Sequence, residues 1–336
     1  MSDMFRLCLV FLLLWAPPLH ARDVGQITPD SPQIGALKSL QILDERLHRI
    51  GYRLITANEP FCRSSGPKTG LLLHDIRQYG NQTAAMAVFG FPREVSIHAV
   101  VPGSPADLAG LKAGDGVIAV NNFSLEDYAA SEKPADSGED VLHRLNRFKF
   151  LLEQSIVDIA VLRDGQRIEA SLQPVPACRS RFEIKPDRKR EASADGQIVS
   201  ISSALAEYFE SDDEFAAVAA HELAHNLLRH RDRLNAQKVN RGFFGQFGKS
   251  AGRIKDTEIE ADRLSVWLMA NAGYDPRAAI RFWTRYGKEH GKGIFSASTH
   301  YRWKKRVRLF EEELAKMAEL EASEGGMYPP LLKLQP

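Results

Sequence analysis

The chain has 336 residues, 44% of them hydrophobic and 26% charged, enough for two or three globular domains with cores of their own. Lys and Arg number 44 against 43 acidic residues, a net charge of +1. A balance this even excludes nucleic acid as a main partner, which would call for a basic domain.

At the N-terminus, Arg6 precedes an apolar run from Leu7 to Trp15, and Ala16-Pro17-Pro18-Leu19-His20-Ala21 follows it. A short apolar core, a helix-breaking stretch and a small residue read as a secretory signal peptide over residues 1–21, cut after Ala21. The competing reading is an uncleaved anchor, but spanning a bilayer takes roughly 20 apolar residues. No later stretch is apolar for long enough to cross a membrane. The mature chain is therefore expected in the periplasm or outside the cell, without a membrane span. Cys8 leaves with the signal, and Cys62 and Cys178 remain as an even pair in an oxidising compartment. A disulfide between them is expected, two unpaired buried thiols being the alternative.

Residues 22–87 form an N-terminal segment. It opens with a loose Pro-, Asp- and Gly-rich stretch and continues as an amphipathic helix over 34–50, with Ile34, Leu37, Leu40, Leu43 and Leu47 at helical spacing. Short strands and loops are expected over 51–90. From about residue 91 the pattern is one of short strands: 95–101, then 117–122, a helix from Gly138 to about Gln154, and a closing hairpin of 156–162 and 167–172 turned by Asp164-Gly165. The run "VVPGSPADLAGLKAGDGVIAVNN" with "VLRDGQRIEASL" resembles a PDZ domain of the bacterial protease type, placed at residues 88–176. The resemblance implies a peptide bound by strand addition to a sheet edge. It sets the carboxylate-binding loop at about Phe89-Gly90-Phe91-Pro92. A domain that only braces its neighbour is the alternative. Residues 130–138 read as a surface insertion.

The chemistry concentrates in Ser211-Asp-Asp-Glu-Phe-Ala-Ala-Val-Ala-Ala-His221-Glu222-Leu-Ala-His225. Ser211 and Glu214 stand at capping-box spacing, acids fill the first turn, and Ala-rich sequence favours one helix to about Leu234. Residues four apart share a helix face, so His221 and His225 project together and can bind one tetrahedral zinc, with Glu222 beside it to take a proton from water. Val218, His221, Glu222 and His225 lie on one stripe. Burying those polar groups without a partner would cost several kcal/mol, which a metal removes. Surface histidines on an amphipathic helix are the bland alternative. Downstream, Glu258 and Asp262 are four apart on a second helix. One can bind metal while the other orients a ligand histidine. Glu260 points to a different face and is the weaker ligand candidate, and His230, five residues beyond His225, is expected to face elsewhere.

The paired H-E-x-x-H and E-x-x-x-D motifs resemble the zinc metallopeptidase family of HtpX and the CAAX prenyl proteases. The likeness runs through "DEFAAVAAHELAH", "EIEADRLSVWLMANAGYDPRAA" and "STHYRWKKRVRLF". It implies Glu258 as third ligand, Asp262 as orienting carboxylate, His300 facing the active site and Arg306 pairing with a site carboxylate. Relatives usually carry Pro after that histidine, where this chain has Tyr301. Glycines among Phe243, Phe244 and Phe247 suit either a flap over the cleft or a plain connecting loop.

The expected fold is α+β: a zincin-like metallopeptidase domain over 177–322, with a strand at 197–202, preceded by a β-sandwich- or barrel-like PDZ domain and followed by a peripheral tail, 323–336. The expected activity is hydrolysis of peptide bonds in misfolded or envelope proteins, with one Zn2+ per chain and a protein or peptide as substrate. The rival reading is a peptide-binding quality-control or assembly factor whose zinc site is structural or latent, as it would be if His300 filled the fourth position.

Overall fold

The apolar stripe that begins at Ile34 runs on past residue 50. In the computed structural model, which describes residues 32–124, 126–128, 138–239, 248–290, 303–320 and 329–333, helix α1 spans Pro32–Ala57. Leu43, Leu47, Ile50 and Leu54 form its buried face. Gly51 lies on that face too. A Cβ there would sit 2.3 Å from the Phe182 ring, so only glycine lets Phe182 lie flat against the helix.

After α1 the chain enters β1, Ser65–Lys68, whose antiparallel partner is β8, Val175–Cys178; Ser65 lies opposite Cys178. This two-stranded ribbon is a neck. The described elements between its strands form one domain, with β2 at Leu71–Asp75, α2 at Gln82–Phe89, β3 at Val95–Val100, β4 at Gly116–Val120, β5 at Phe123–Ser124, α3 at Gly138–Leu152, β6 at Val157–Arg163 and β7 at Gln166–Leu172. The sheet order is β2-β3-β4-β6-β7, with β5 paired to β4. Asp164 and Gly165 both take left-handed backbone, φ 50° and 77°, the geometry of a two-residue hairpin turn. Leu73, Ile97, Val117, Phe148, Ile159 and Leu172 meet in this domain's core.

The second core gathers Leu47, Ile50 and Leu54 of α1 with residues from the other end of the chain, among them Val199, Ile201, Phe215, Leu223, Leu264, Trp267 and Phe282. Its sheet holds β9 (Arg181–Lys185), β10 (Ala192–Ala194) and β11 (Ile198–Ser202) in the order β10-β11-β9, with β11 antiparallel to β10 and parallel to β9. Helices α4 (Asp212–Leu227), α5 (His230–Ala236), α6 (Gly248–Asn271), α7 (Arg277–His290) and α8 (Trp303–Glu319) complete it. Organisation is thus nested where the sequence suggested a series. The segment 22–87 divides, its helix joining the C-terminal core and its β2 the sheet of the inserted domain. The tail contributes as well, since Leu331 and Leu332 pack against the second core.

Cys62 and Cys178 flank the neck with Cα atoms 5.5 Å apart, a separation a disulfide spans. A buried polar seam joins the inserted domain to α1. His48 Nε2 donates to the Gly70 carbonyl at 3.2 Å, and His98 Nε2 lies 3.7 Å from Asp44 Oδ2. His74 stacks on Phe91 and its Nδ1 is 3.0 Å from the Tyr79 hydroxyl.

The loop Phe89-Gly90-Phe91-Pro92 does not lead to a free sheet edge. The strand after it is β3, paired on one side with β2 and on the other with β4. The sheet ends in β7 on one side and in β2, which lies beside α3, on the other; the residues leading into β2 are Lys68-Thr69-Gly70. Gly70 has φ 83°, and an added Cβ would meet Ser104 Oγ at 2.2 Å. Among the described residues no helix is long and apolar enough to cross a membrane. The signal segment 1–21, residues 130–137 of the expected insertion, the Phe243–Phe247 segment and His300 lie outside the described residues.

Candidate metal centre

Helix α4 starts where its sequence says it should. The Ser211 hydroxyl accepts from the Glu214 amide at 3.2 Å, and three acids occupy the first turn. The Glu214 carboxylate does not return to Ser211. It accepts from the Glu210 amide at 3.0 Å and from both terminal nitrogens of Arg285, at 2.9 and 2.8 Å, tying α4 to α7. Ala216, Ala217, Ala219, Ala220 and Ala224 are buried, and their small side chains let the sheet and α6 approach closely.

On this helix His221 and Glu222 are buried, at 5% and 9% exposure, and His225 stands one turn on. His221 Nε2 and His225 Nε2 lie 3.2 Å apart. Glu258, from α6, places Oε2 at 3.5 Å from His221 Nε2 and Oε1 at 3.5 Å from His225 Nε2. A tetrahedral ion about 2.0–2.1 Å from each donor sets donor–donor edges of roughly 3.3–3.4 Å. The three side chains therefore already stand at the spacing such an ion needs, and among the described residues they form the one cluster of this kind.

The protons around the cluster point the same way. His221 Nδ1 lies 2.8 Å from Asp262 Oδ1, and a carboxylate can only accept, so the neutral ring keeps its proton on Nδ1 and leaves the Nε2 lone pair for a metal. Asp262 is fully buried, and Arg306 holds it from the other side, Nε donating at 2.8 and 2.7 Å to its two oxygens and Nη2 at 2.6 Å. The same guanidinium lies 3.6 Å from the centre of the Trp283 ring. Burial works against the Asp262 charge, yet Arg306 and His221 hold its carboxyl below the usual range. Burial and Arg306 also oppose a second proton on His221, and Asp262 and Glu258 overcome them, raising that imidazole to about 9. Burial keeps His225 neutral, pushed down to about 3. A cage of lone pairs and carboxylates that draws in a proton so strongly is one that suits a cation.

His230 departs from the expected geometry. In a continuous helix five residues turn about 500°, which would carry its ring well away from His225. The helix instead ends at Leu227, and Arg229 takes left-handed backbone, φ 53°, so that α5 starts afresh at His230. The His230 ring is thereby brought back to His225 and is buried at 2% exposure. Glu260 is engaged away from the cluster, with His230 and Arg233, and those partners overcome burial to lower its pKa to about 2. The sequence carries no glycine to announce this break, and Trp283 is likewise marked by no motif.

A pair of histidines one helical turn apart, His221 buried and His225 half-buried, a glutamate from α6 and a small sheet beneath them have the arrangement of a zincin-like fold. Residues 181–254 match the model of Peptidase family M48, and residues 96–130 match a PDZ domain. The chain thus holds one stretch similar to a PDZ domain and another similar to Peptidase family M48. It is 33% identical over 128 residues to "Mitochondrial metalloendopeptidase OMA1" of Schizosaccharomyces pombe, covering 31% of this chain and 37% of that protein. The protein of the same name in Arabidopsis thaliana is 31% identical over 155 residues, covering 39% and 32%. A "Putative beta-barrel assembly-enhancing protease" of Vibrio cholerae is 29% identical over 171 residues, covering 41% and 35%. The chain spans about a third of the length of these curated relatives.

Proposed function

We propose that this chain is an exported zinc-dependent endopeptidase acting on misfolded or envelope proteins, with its PDZ domain binding substrate or gating access. The observation that carries the reading is the triangle of His221, His225 and Glu258, with edges of 3.2, 3.5 and 3.5 Å. His221, His225 and Glu258 would hold one zinc per chain, which would supply Lewis-acid polarisation of a peptide carbonyl and lower the pKa of water toward about 7. Glu222 is the general base: its carboxylate takes a proton from the attacking water and passes it to the leaving amine nitrogen. Asp262 fixes the His221 tautomer, and Arg306 fixes Asp262.

A peptide strand would add along β2, the end strand that lies beside α3. The apolar run Leu7–Trp15 and the Cys62–Cys178 pair support export, and the name of the Vibrio cholerae relative supports substrates in the cell envelope.

The test is cleavage of a reduced, unfolded model protein by the purified mature chain. The reading expects new N-termini to appear, to vanish with a chelator and to return with zinc. Absence of cleavage by a chain holding one zinc would favour the rival, a peptide-binding quality-control or assembly factor with a structural or latent site.

A further inference from the structure

His225 makes a second contact that the ligand set does not use. Its Nδ1 lies 2.8 Å from His230 Nδ1, and the other nitrogen of that ring, Nε2, lies 3.0 Å from Glu260 Oε2. Arg233 holds Glu260 in turn, Nη1 on Oε2 and Nη2 on Oε1 at 3.2 Å. The Glu260 carboxylate can only accept, so His230 donates from Nε2. A neutral His230 then has only a lone pair at Nδ1, and it must receive the Nδ1 proton of His225. That leaves the His225 lone pair at Nε2, the atom 3.2 Å from His221 Nε2. A reversed chain would put the His225 proton on Nε2 and close the cluster to a cation.

We infer that His230, Glu260 and Arg233 form a relay that fixes the tautomer and ring plane of His225, and that His230 is a positioning residue of the metal centre. The relay is the counterpart of Asp262 and Arg306 on His221. Each ligand histidine is thus backed by a carboxylate clamped by an arginine, directly for His221 and through a second imidazole for His225. The backbone is shaped for it: without the left-handed turn at Arg229 the His230 ring could not reach back. Binding of ligand histidines through such outer partners typically contributes 10–100-fold to metal affinity.

This inference rests on the metal-centre reading, and one set of measurements separates the two. Zinc affinity is measured by chelator competition on the full mature chain, with His221→Ala, His230→Ala, Glu260→Ala and the His230→Ala/Glu260→Ala pair. Cobalt-substituted visible spectra and the unfolding temperature of each metal-free protein accompany it. Expected are binding about 10–100-fold weaker in His230→Ala, a shift in the same direction in Glu260→Ala, and a double variant no weaker than His230→Ala, because the two act in series. The cobalt spectrum of His230→Ala should change, and the metal-free unfolding temperature records separately the cost of emptying that buried site. Zinc affinity within about twofold of the parent in His230→Ala, or losses that add in the double variant, would overturn the relay while leaving the metal centre standing. Equal zinc binding by the parent and His221→Ala would overturn the metal-centre reading, and the relay with it. Should His230→Ala fail to fold, Glu260→Ala carries the test alone, since that side chain is partly exposed, at 24%.

Discussion

Arg306→Ala isolates the buried electrostatics of the centre. Asp262 has no exposed surface, Arg306 is 7% exposed, and three short hydrogen bonds join them. Removing the arginine leaves a buried carboxylate without its cationic partner, and breaking a buried ion pair in this way costs about 3–5 kcal/mol. The lost contact with the Trp283 face adds about 1–2 kcal/mol. For a chain of this size a kcal/mol is worth roughly 2–4 °C, so the metal-free protein should melt about 8–28 °C lower. Asp262→Asn alone strands the opposite charge. The double variant removes both charges and should fall short of the summed losses by about 2–3 kcal/mol. Circular dichroism melts in the presence of chelator measure all three. A loss under about 1 kcal/mol for Arg306→Ala, or strict additivity in the double variant, would refute the reasoning.

Zinc affinity should climb with pH. His221 of the metal-free chain is raised to about 9, so below that pH an ion must displace a proton, and the apparent association constant should rise about tenfold per pH unit before levelling off above 9. A pH-independent affinity between 6 and 8 would contradict this. At the seam between the inserted domain and α1, burial lowers His48, His74 and His98 to about 4, 3 and 4. The unfolded chain therefore binds protons below pH 6.5 that the folded one refuses, and stability should fall on acidification from about 6.5 toward 4. Burial raises Asp44 to about 7, which works in the opposite sense over the same range but as one group against three. A melting temperature flat across that range would exclude the effect. Gly51→Ala should destabilise by about 1–3 kcal/mol by pressing its Cβ into the Phe182 ring, with much of the loss recovered in combination with Phe182→Ala. Cys62→Ser, opening a link across 116 residues of separation, should cost about 4–5 kcal/mol in a chain-entropy estimate if the disulfide forms.

What the sequence disclosed was what short-range geometry controls. Four-residue spacing puts His221 beside His225 and Glu258 beside Asp262 whatever surrounds the helices, and the Asp164-Gly165 turn needs only its own backbone preferences. The nesting of one domain inside the other was hidden because it depends on Ser65 finding Cys178, a long-range pairing with no local signature. The same holds for Arg306, suggested by family resemblance alone and held to Asp262 by tertiary packing. His230 was misjudged for a sharper reason: helical phase holds only while the helix does, and the left-handed residue that breaks it is an arginine, a type that gives no warning. Phe89-Gly90-Phe91 has the composition of a carboxylate-binding loop, but which strand lies at the end of the sheet is a matter of pairing order and cannot be counted along the chain.

The central claim is that Glu222 moves the proton for peptide hydrolysis at a metal held by its neighbours. Its most direct test is cleavage of an unfolded protein by the mature chain and by Glu222→Gln at equal zinc occupancy. The account predicts bound zinc in both and a loss of about 10²–10⁴-fold in rate for the variant. Equal rates at equal occupancy would contradict it.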